Sequence, residues 1–174
     1  MIIPVNGIYP KIHPTVWVAP TATIIGDVEI GEGSSVWFNT VIRGDVFPIK
    51  IGRETNIQDN CVLHCTYKKC GVVLGDRVTI GHQVILHGSK VGDGVLVGMG
   101  CILMDDVNVG SHSLVGAGSL VTEKSSFEEG SLIFGRPAKF KRKLEPEELS
   151  KLEHSADNYI MYTSWYAGNG GKIP

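Results

Sequence analysis

Residues 91–121 read VGDGVLVGMGCILMDDVNVGSHSLVGAGSLV, with an aliphatic residue at every sixth position: Val91, Val97, Leu103, Val109, Val115 and Val121. Glycine follows several of these directly, at Gly92, Gly98, Gly110 and Gly116. Toward the N-terminus the beat continues through Leu86, Ile80 and Leu74, then Leu63, Ile57 and Ile51, and finally Ile42, Val36, Ile30, Ile24, Val18 and Ile12. A second stripe of small or β-branched residues lies four places after most of these leads, at Val28, Ser34, Thr40, Thr55, Cys61, Val78, Val84, Val95, Cys101, Val107, Ser113 and Ser119. Period six with this glycine usage is the hexapeptide repeat of a parallel β-helix.

Each hexapeptide supplies one short strand and one corner, so three leads complete a coil of a triangular prism and successive coils stack about 4.8 Å apart. Every third lead shares a face, which places Ile24, Ile42, Leu63, Leu86, Leu103 and Val121 together. Side chains alternate along a strand, so the residue after each lead points outward. Arg43, His64 and His87 therefore stack in one external column. His82, two places after Ile80, belongs to the preceding face, where Asp59 holds the equivalent place one coil earlier with Gln58 beside it. The sixfold spacing breaks between Ile42 and Ile51, between Leu63 and Leu74, and between Leu86 and Val91. All of these irregularities fall at one corner, directly after Arg43, His64 and His87.

A chain of 174 residues is about one domain. Its net charge is -2, and no basic block exceeds the stretch Lys139 to Lys143, so nothing argues for nucleic acid or an anionic membrane surface as partner. No apolar run approaches the roughly 20 residues of a membrane span, and no signal pattern opens the chain, so a cytoplasmic protein is expected. Cys61 and Cys101 lie on the inward stripe as small hydrophobes, Cys65 and Cys70 lie in the corner insertion, and no CxxC pair supports a zinc ribbon or redox motif. The solenoid is expected to end near Val121, with an exit over Gly130 to Pro137, giving a β-helix domain at 1–140 and a helix with tail at 141–174. From Leu144, Pro146 marks a helix start, acidic residues fill the first turn, and Leu149, Leu152, Ala156, Tyr159 and Ile160 form one apolar stripe that must lie on a solenoid face. Gly168 to Pro174 reads as a loose tail.

His13, His112 and His154 are isolated and read as solvated. His64, His82 and His87 are different. Imidazoles stacked a coil apart, at roughly 4.8 Å, suit one ion with Zn–N bonds of about 2.0–2.1 Å. His82 lies one face away, and outward vectors on adjacent faces diverge, so one chain does not easily bring all three rings to one ion. A ring of three prisms would set the His82 face of one subunit against the His64 and His87 column of the next.

At these residues the chain resembles the gamma-class carbonic anhydrase family in its short bacterial and archaeal branch. The likeness runs from the N-terminal coils through Arg43-Gly44-Asp45, Asn56 to Asn60, Leu63-His64 and Gly81 to His87, on to the GRPAK exit and the terminal helix. It implies a left-handed β-helix, against the usual right-handed crossover, and a homotrimer whose metal is held by His64 and His87 of one subunit and His82 of the next. It implies reversible hydration of carbon dioxide to bicarbonate by a metal-bound hydroxide, with Zn²⁺ as cofactor and Fe²⁺ or Co²⁺ also compatible with imidazole nitrogen. Gln58 matches the residue that orients hydroxide or substrate. Arg43 and Asp59 match a pair bridging subunits, Asp45 a further interface acid, and Tyr159 a tyrosine some short members place near the metal, although its stripe position also fits a core role.

One departure from the family concerns protons. The acidic loop that exports them in the best-studied branch is missing: Val46 follows Asp45, and the insertion after His64 reads CTYKKCG, basic rather than acidic. Two other functions share the repeat. Acyltransferase or acyl-CoA thioesterase chemistry needs one histidine base beside an open groove, and a non-catalytic metal-binding protein needs only the ligands. Fold alone does not choose between them.

Overall fold

In a computed structural model, which describes residues 1–166, the strand registers reproduce the sixfold beat coil by coil. On the first face Ile24 pairs with Ile42, Ile42 with Leu63, Leu63 with Leu86, Leu86 with Leu103 and Leu103 with Val121, all in parallel. The second face stacks Ile12, Ile30, Ile51, Leu74, Val91 and Val109. The third stacks Val18, Val36, Ile57, Ile80, Val97 and Val115. The result is a parallel β-solenoid of about seven turns followed by one helix. Strands Thr23–Ile30 and Val41–Ile51 run unbroken around the corner between the first two faces and join them into a 12-stranded sheet, the third face forming one of 8 strands. This is the corner at which the sequence spacing breaks.

The leads from Ile24 onward are buried, and so is every residue of the second stripe. Hydroxyls are tolerated there because they find backbone carbonyls, several of them on the next coil: Ser34 Oγ donates to Gly52 O at 2.8 Å, Thr40 Oγ1 to Gln58 O at 2.6 Å and Thr55 Oγ1 to Gly75 O at 2.8 Å. The Cys61 thiol does the same toward Gly81 O at 3.1 Å, and burial pushes its pKa up to about 12, as befits an unreactive core thiol. At the corner between the third and first faces, Asn39, Asn60, Gln83, Gly100 and Gly118 all take a left-handed φ of 58° to 71°. Asn and Gly accept that conformation readily and fill four of these five corners, Gln83 being the exception.

The C-terminal end of the solenoid departs from the sequence expectation. The coils do not stop near Val121: Phe127 and Ile133 take the next two lead places, pairing with Val109 and Val115. The chain then reverses, and Ala138–Lys143 pairs antiparallel with Ser131–Gly135. The solenoid sheet thus extends to Lys143, and the expected boundary after residue 140 falls inside its last strand. At the other end Ile2–Ile3 adds a strand beside Ile24–Ile25.

The helix spans Pro146–Tyr166. Its start is closed by Glu148, whose carboxylate accepts the backbone N–H of Glu145 at 2.8 Å, with Pro146 at the first position where no N–H is required. Leu152 and Ala156 are its buried residues, and it lies on the third face of its own solenoid. Arg77 ties it down, donating to Asp157 at 2.6 Å and to Glu54 at 2.7 Å. Trp37 packs edge-on against Tyr159 with ring centroids 5.2 Å apart, whereas Ile160, expected on the apolar stripe, is exposed. The tail Gly168 to Pro174 lies outside the described residues. No described helix is long and apolar enough to cross a membrane.

Candidate metal centre

His64 and His87 end equivalent strands, Val62–His64 and Ile85–His87, and pair directly in register. Their rings approach with Nδ1 of His64 3.2 Å from Nε2 of His87. The other nitrogen of each ring rests on a carboxylate: His64 Nε2 lies 3.1 Å from Asp45 Oδ1, and His87 Nδ1 lies 2.7 Å from Asp105 Oδ1. A carboxylate accepts only, so in the neutral rings those nitrogens carry the protons and the facing pair carries lone pairs. Two lone pairs so close repel unless a cation lies with them. Burial comes first among the influences on His64 and pushes its pKa down, the Asp45 hydrogen bond opposing it only in part, so a proton is disfavoured there. A divalent metal fits: two nitrogens on tetrahedral zinc, with bonds of about 2.0–2.1 Å, stand about 3.3 Å apart. Carboxylates behind ligating imidazoles fix the tautomer and raise basicity.

Asp105 carries no signal in the repeat and was not among the residues expected at the site. Its place is one residue beyond Met104, the coil neighbour of His87, so a search one position to either side of the histidine column would have found it. Burial works against its charge, but hydrogen bonds from Thr66 Oγ1 at 2.6 Å, from His87 and from Lys69 Nζ at 3.2 Å outweigh this and hold its carboxyl well below the usual range. Asp45 is held down in the same way: burial opposes its charge, and Arg43, with Nη1 2.5 Å from Oδ2, and His64 prevail.

His82 occupies the opposite edge of the first face, at the corner with the third. Its Nδ1 lies 2.8 Å from Asp59 Oδ2, which leaves Nε2 as the available lone pair. The other Asp59 oxygen accepts the N–H of Phe38 at 3.2 Å. Within one chain, then, Arg43 pairs with Asp45 and Asp59 with His82. Gln58 is almost buried; its Nε2 donates to Asn56 Oδ1 at 3.2 Å, which leaves Oε1 as a free acceptor. Tyr159 lines a cavity of about 300 Å³ with Trp37, Asp59 and His82, and burial, then the Asp59 charge, pushes its phenol up to about 12. It is at once a packing residue and a neighbour of His82.

The chain therefore brings His64 and His87 together and leaves His82 apart. Among the described residues no group of three or more His, Cys, Asp or Glu is placed to hold an ion. Between the two edges the outer surface of the first face carries Val62 and Ile85, 40% and 39% exposed. His13, His112 and His154 are exposed and remote from these edges; His154 Nδ1 sits 2.7 Å from Ser150 O in its own helix.

Residues 9–44 and 88–123 match the family described as bacterial transferase hexapeptide (six repeats). The chain is 44% identical over 168 residues to gamma carbonic anhydrase 2, mitochondrial, of Arabidopsis thaliana, which covers 94% of this chain and 60% of that protein. It spans only about 60% of the length of such plant relatives. To the carbonic anhydrase of Geobacillus kaustophilus it is 43% identical over 166 residues, covering 95% of this chain and 91% of that one. The crystal structure of a hexapeptide transferase family protein from Anaplasma phagocytophilum superposes with a TM-score of 0.91 at 44% identity, covering 95% of this chain and 97% of that chain.

Proposed function

We propose, because the chain belongs to the hexapeptide-repeat gamma carbonic anhydrase family, that it interconverts carbon dioxide and bicarbonate at metal centres shared between the subunits of a homotrimer. The observation that carries this reading is the facing pair of His64 Nδ1 and His87 Nε2, each ring anchored from behind by a carboxylate. His64 and His87 would hold the metal from one subunit, and His82, with Nε2 free, from the next. Zn²⁺, Fe²⁺ and Co²⁺ all suit imidazole nitrogen. Bound there, such an ion supplies the Lewis acidity that makes hydroxide available from water near neutral pH.

The chain's own residues supply position and field. Asp45, Asp105 and Asp59 each fix one imidazole in the tautomer that presents its lone pair outward. Gln58, its amide nitrogen committed to Asn56, offers Oε1 to orient the nucleophile, and the exposed N–H groups of Arg43 face the same column as His64. Val62 and Ile85 give a neighbouring subunit apolar surface to cover and help keep water off the shared edge.

The deciding experiment measures metal content and carbon dioxide hydration in one preparation, before and after stripping and reloading. Hydration that follows occupancy supports the reading. Full occupancy without hydration overturns it and shifts the weight to thioester chemistry or to metal binding alone.

A further inference from the structure

Away from the metal centre, the outward positions of the second face read Lys50, Val73, Lys90 and Asn108 on consecutive coils. With coils about 4.8 Å apart, Lys50 and Lys90 straddle Val73 at roughly 10 Å between backbones, a span their long side chains can close. Both are exposed, and neither forms an ion pair among the described residues. Glu29, the coil neighbour of Lys50 on the other side, does not pair with it either. The loop after His64, pinched by a bridge between Thr66 and Cys70, forms one wall beside this column, and Phe47 with Pro48 contributes to the lining of the same cavity, about 520 Å³ in volume. The third lysine there, Lys69, is already spent: its ammonium lies 3.2 Å from Asp105 and 3.4 Å from Asp106. Free positive charge is thus concentrated at Lys50 and Lys90, while Phe47, Val73 and Val107 supply apolar lining.

We infer that this groove binds a small organic phosphate, the doubly charged head group on Lys50 and Lys90 and the apolar body against Phe47 and Val73. Two unpaired cations on either side of one apolar residue match a compact dianion better than a single carboxylate charge. The volume falls within the roughly 300–1,000 Å³ of small-molecule sites. Asp106 at the far end disfavours the reverse orientation, because it would set the head group against a carboxylate. The groove shares the loop after His64 with the metal centre, but none of the three histidines lines it.

Titration calorimetry of the full-length, metal-loaded protein with 1-naphthyl phosphate, and separately with inorganic phosphate, tests this. The organic ester is expected to bind once per chain and about tenfold tighter than inorganic phosphate. Lys50→Ala/Lys90→Ala should weaken it by about tenfold or more, and Val73→Glu, which puts a carboxylate into the groove without touching the core, should do the same. Lys139→Ala/Lys141→Ala removes equal charge elsewhere and should leave it unchanged. Undiminished binding in the Lys50/Lys90 variant would place the anion elsewhere, the metal centre included, and overturn the inference. Equal affinity for the two phosphates, or equal loss in the control variant, would reduce the effect to general charge and overturn it as well.

Discussion

Nδ1 of His87 stands 2.7 Å from the carboxylate of Asp105, and that carboxylate is in turn held by Thr66 and Lys69 of the loop that follows His64. The basic loop therefore sets the orientation of the His87 ring one coil away. Asp105→Ala is expected to weaken metal binding by about 10- to 100-fold, the usual effect of losing such a partner. Asp105→Asn should cost less, since its amide oxygen still accepts the imidazole N–H. Competition against a chelator measures both, and unchanged affinity in the alanine variant would remove Asp105 from the site.

The separation of His82 from the other two histidines leads to a joint expectation for assembly and occupancy. The protein should be a homotrimer in light scattering with one metal per chain. His64→Ala, His82→Ala and His87→Ala should each abolish the metal, while His13→Ala, His112→Ala and His154→Ala keep it. A monomer that retains one tightly bound ion per chain, or a fully loaded His82→Ala trimer, would show that the shared-site assignment is wrong.

The column of Arg43, His64 and His87 was legible in the sequence because position along a hexapeptide fixes both the face and the direction of a side chain. His82 and Asp59 followed from the same count, and the pairing of Ile57 with Ile80 stacks them, with His82 Nδ1 2.8 Å from Asp59 Oδ2. The count failed where side chains leave the column. Asp105 reaches His87 on a neighbouring coil from one place beyond the column, so a count confined to the column passes over it. It failed also where a lead is aromatic and lacks a following glycine: Phe127 is followed by Glu128, so the repeat looked finished at Val121 although two further strands continue it. Which charges pair depends on reach and competition, which is why Arg43 lies on Asp45 within the chain.

Ser89 offers a test of the interior. Its hydroxyl is fully buried and has no hydrogen-bond partner, unlike the hydroxyls of Ser34, Thr40 and Thr55. The places stacked on it in adjacent coils are Val72 and Val107, both buried. An unsatisfied buried hydroxyl costs about 1–3 kcal/mol, so Ser89→Ala should stabilise the fold by about 1 kcal/mol after the small loss of packing. Thermal unfolding should shift upward by about 2–4 °C for a chain of this size. A downward shift would mean that the hydroxyl is satisfied by water.

The helix start should respond to acid. Hydrogen bonds from Arg142, and then from the Glu145 backbone, hold Glu148 at about 2. An unfolded glutamate titrates near about 4.3. Because the folded value is depressed, the stabilisation is complete above the unfolded value and disappears as pH falls from there through about 2. Amide hydrogen exchange in the first helical turn should therefore accelerate, beyond its intrinsic pH dependence, over that window. Glu148→Gln should show the faster exchange at neutral pH and no further acid-induced loss; identical protection in wild type and variant would remove Glu148 from the cap.

If hydration is observed, its maximal rate should rise with buffer concentration. Regenerating the nucleophile requires moving a proton from the site to solvent, and the nearby groups are poorly suited to it. The loop from Cys65 to Gly71 contains no carboxylate. Asp45 and Asp105 are committed to imidazoles and held below the usual carboxylate range, which makes them weak proton acceptors. Tyr159, pushed up to about 12, keeps its proton at neutral pH, so Tyr159→Phe should leave the buffer response intact. A small imidazole-type buffer can serve instead, and raising its concentration at fixed pH and ionic strength should increase the rate. Lys68→Glu should restore part of the rate at low buffer, because Lys68 is exposed and free of the ion pairs that bind Lys69 to Asp105 and Asp106. Lys69→Glu would instead break the hold on Asp105 and lower metal affinity. A high rate indifferent to buffer would mean that a group on the protein already carries the proton.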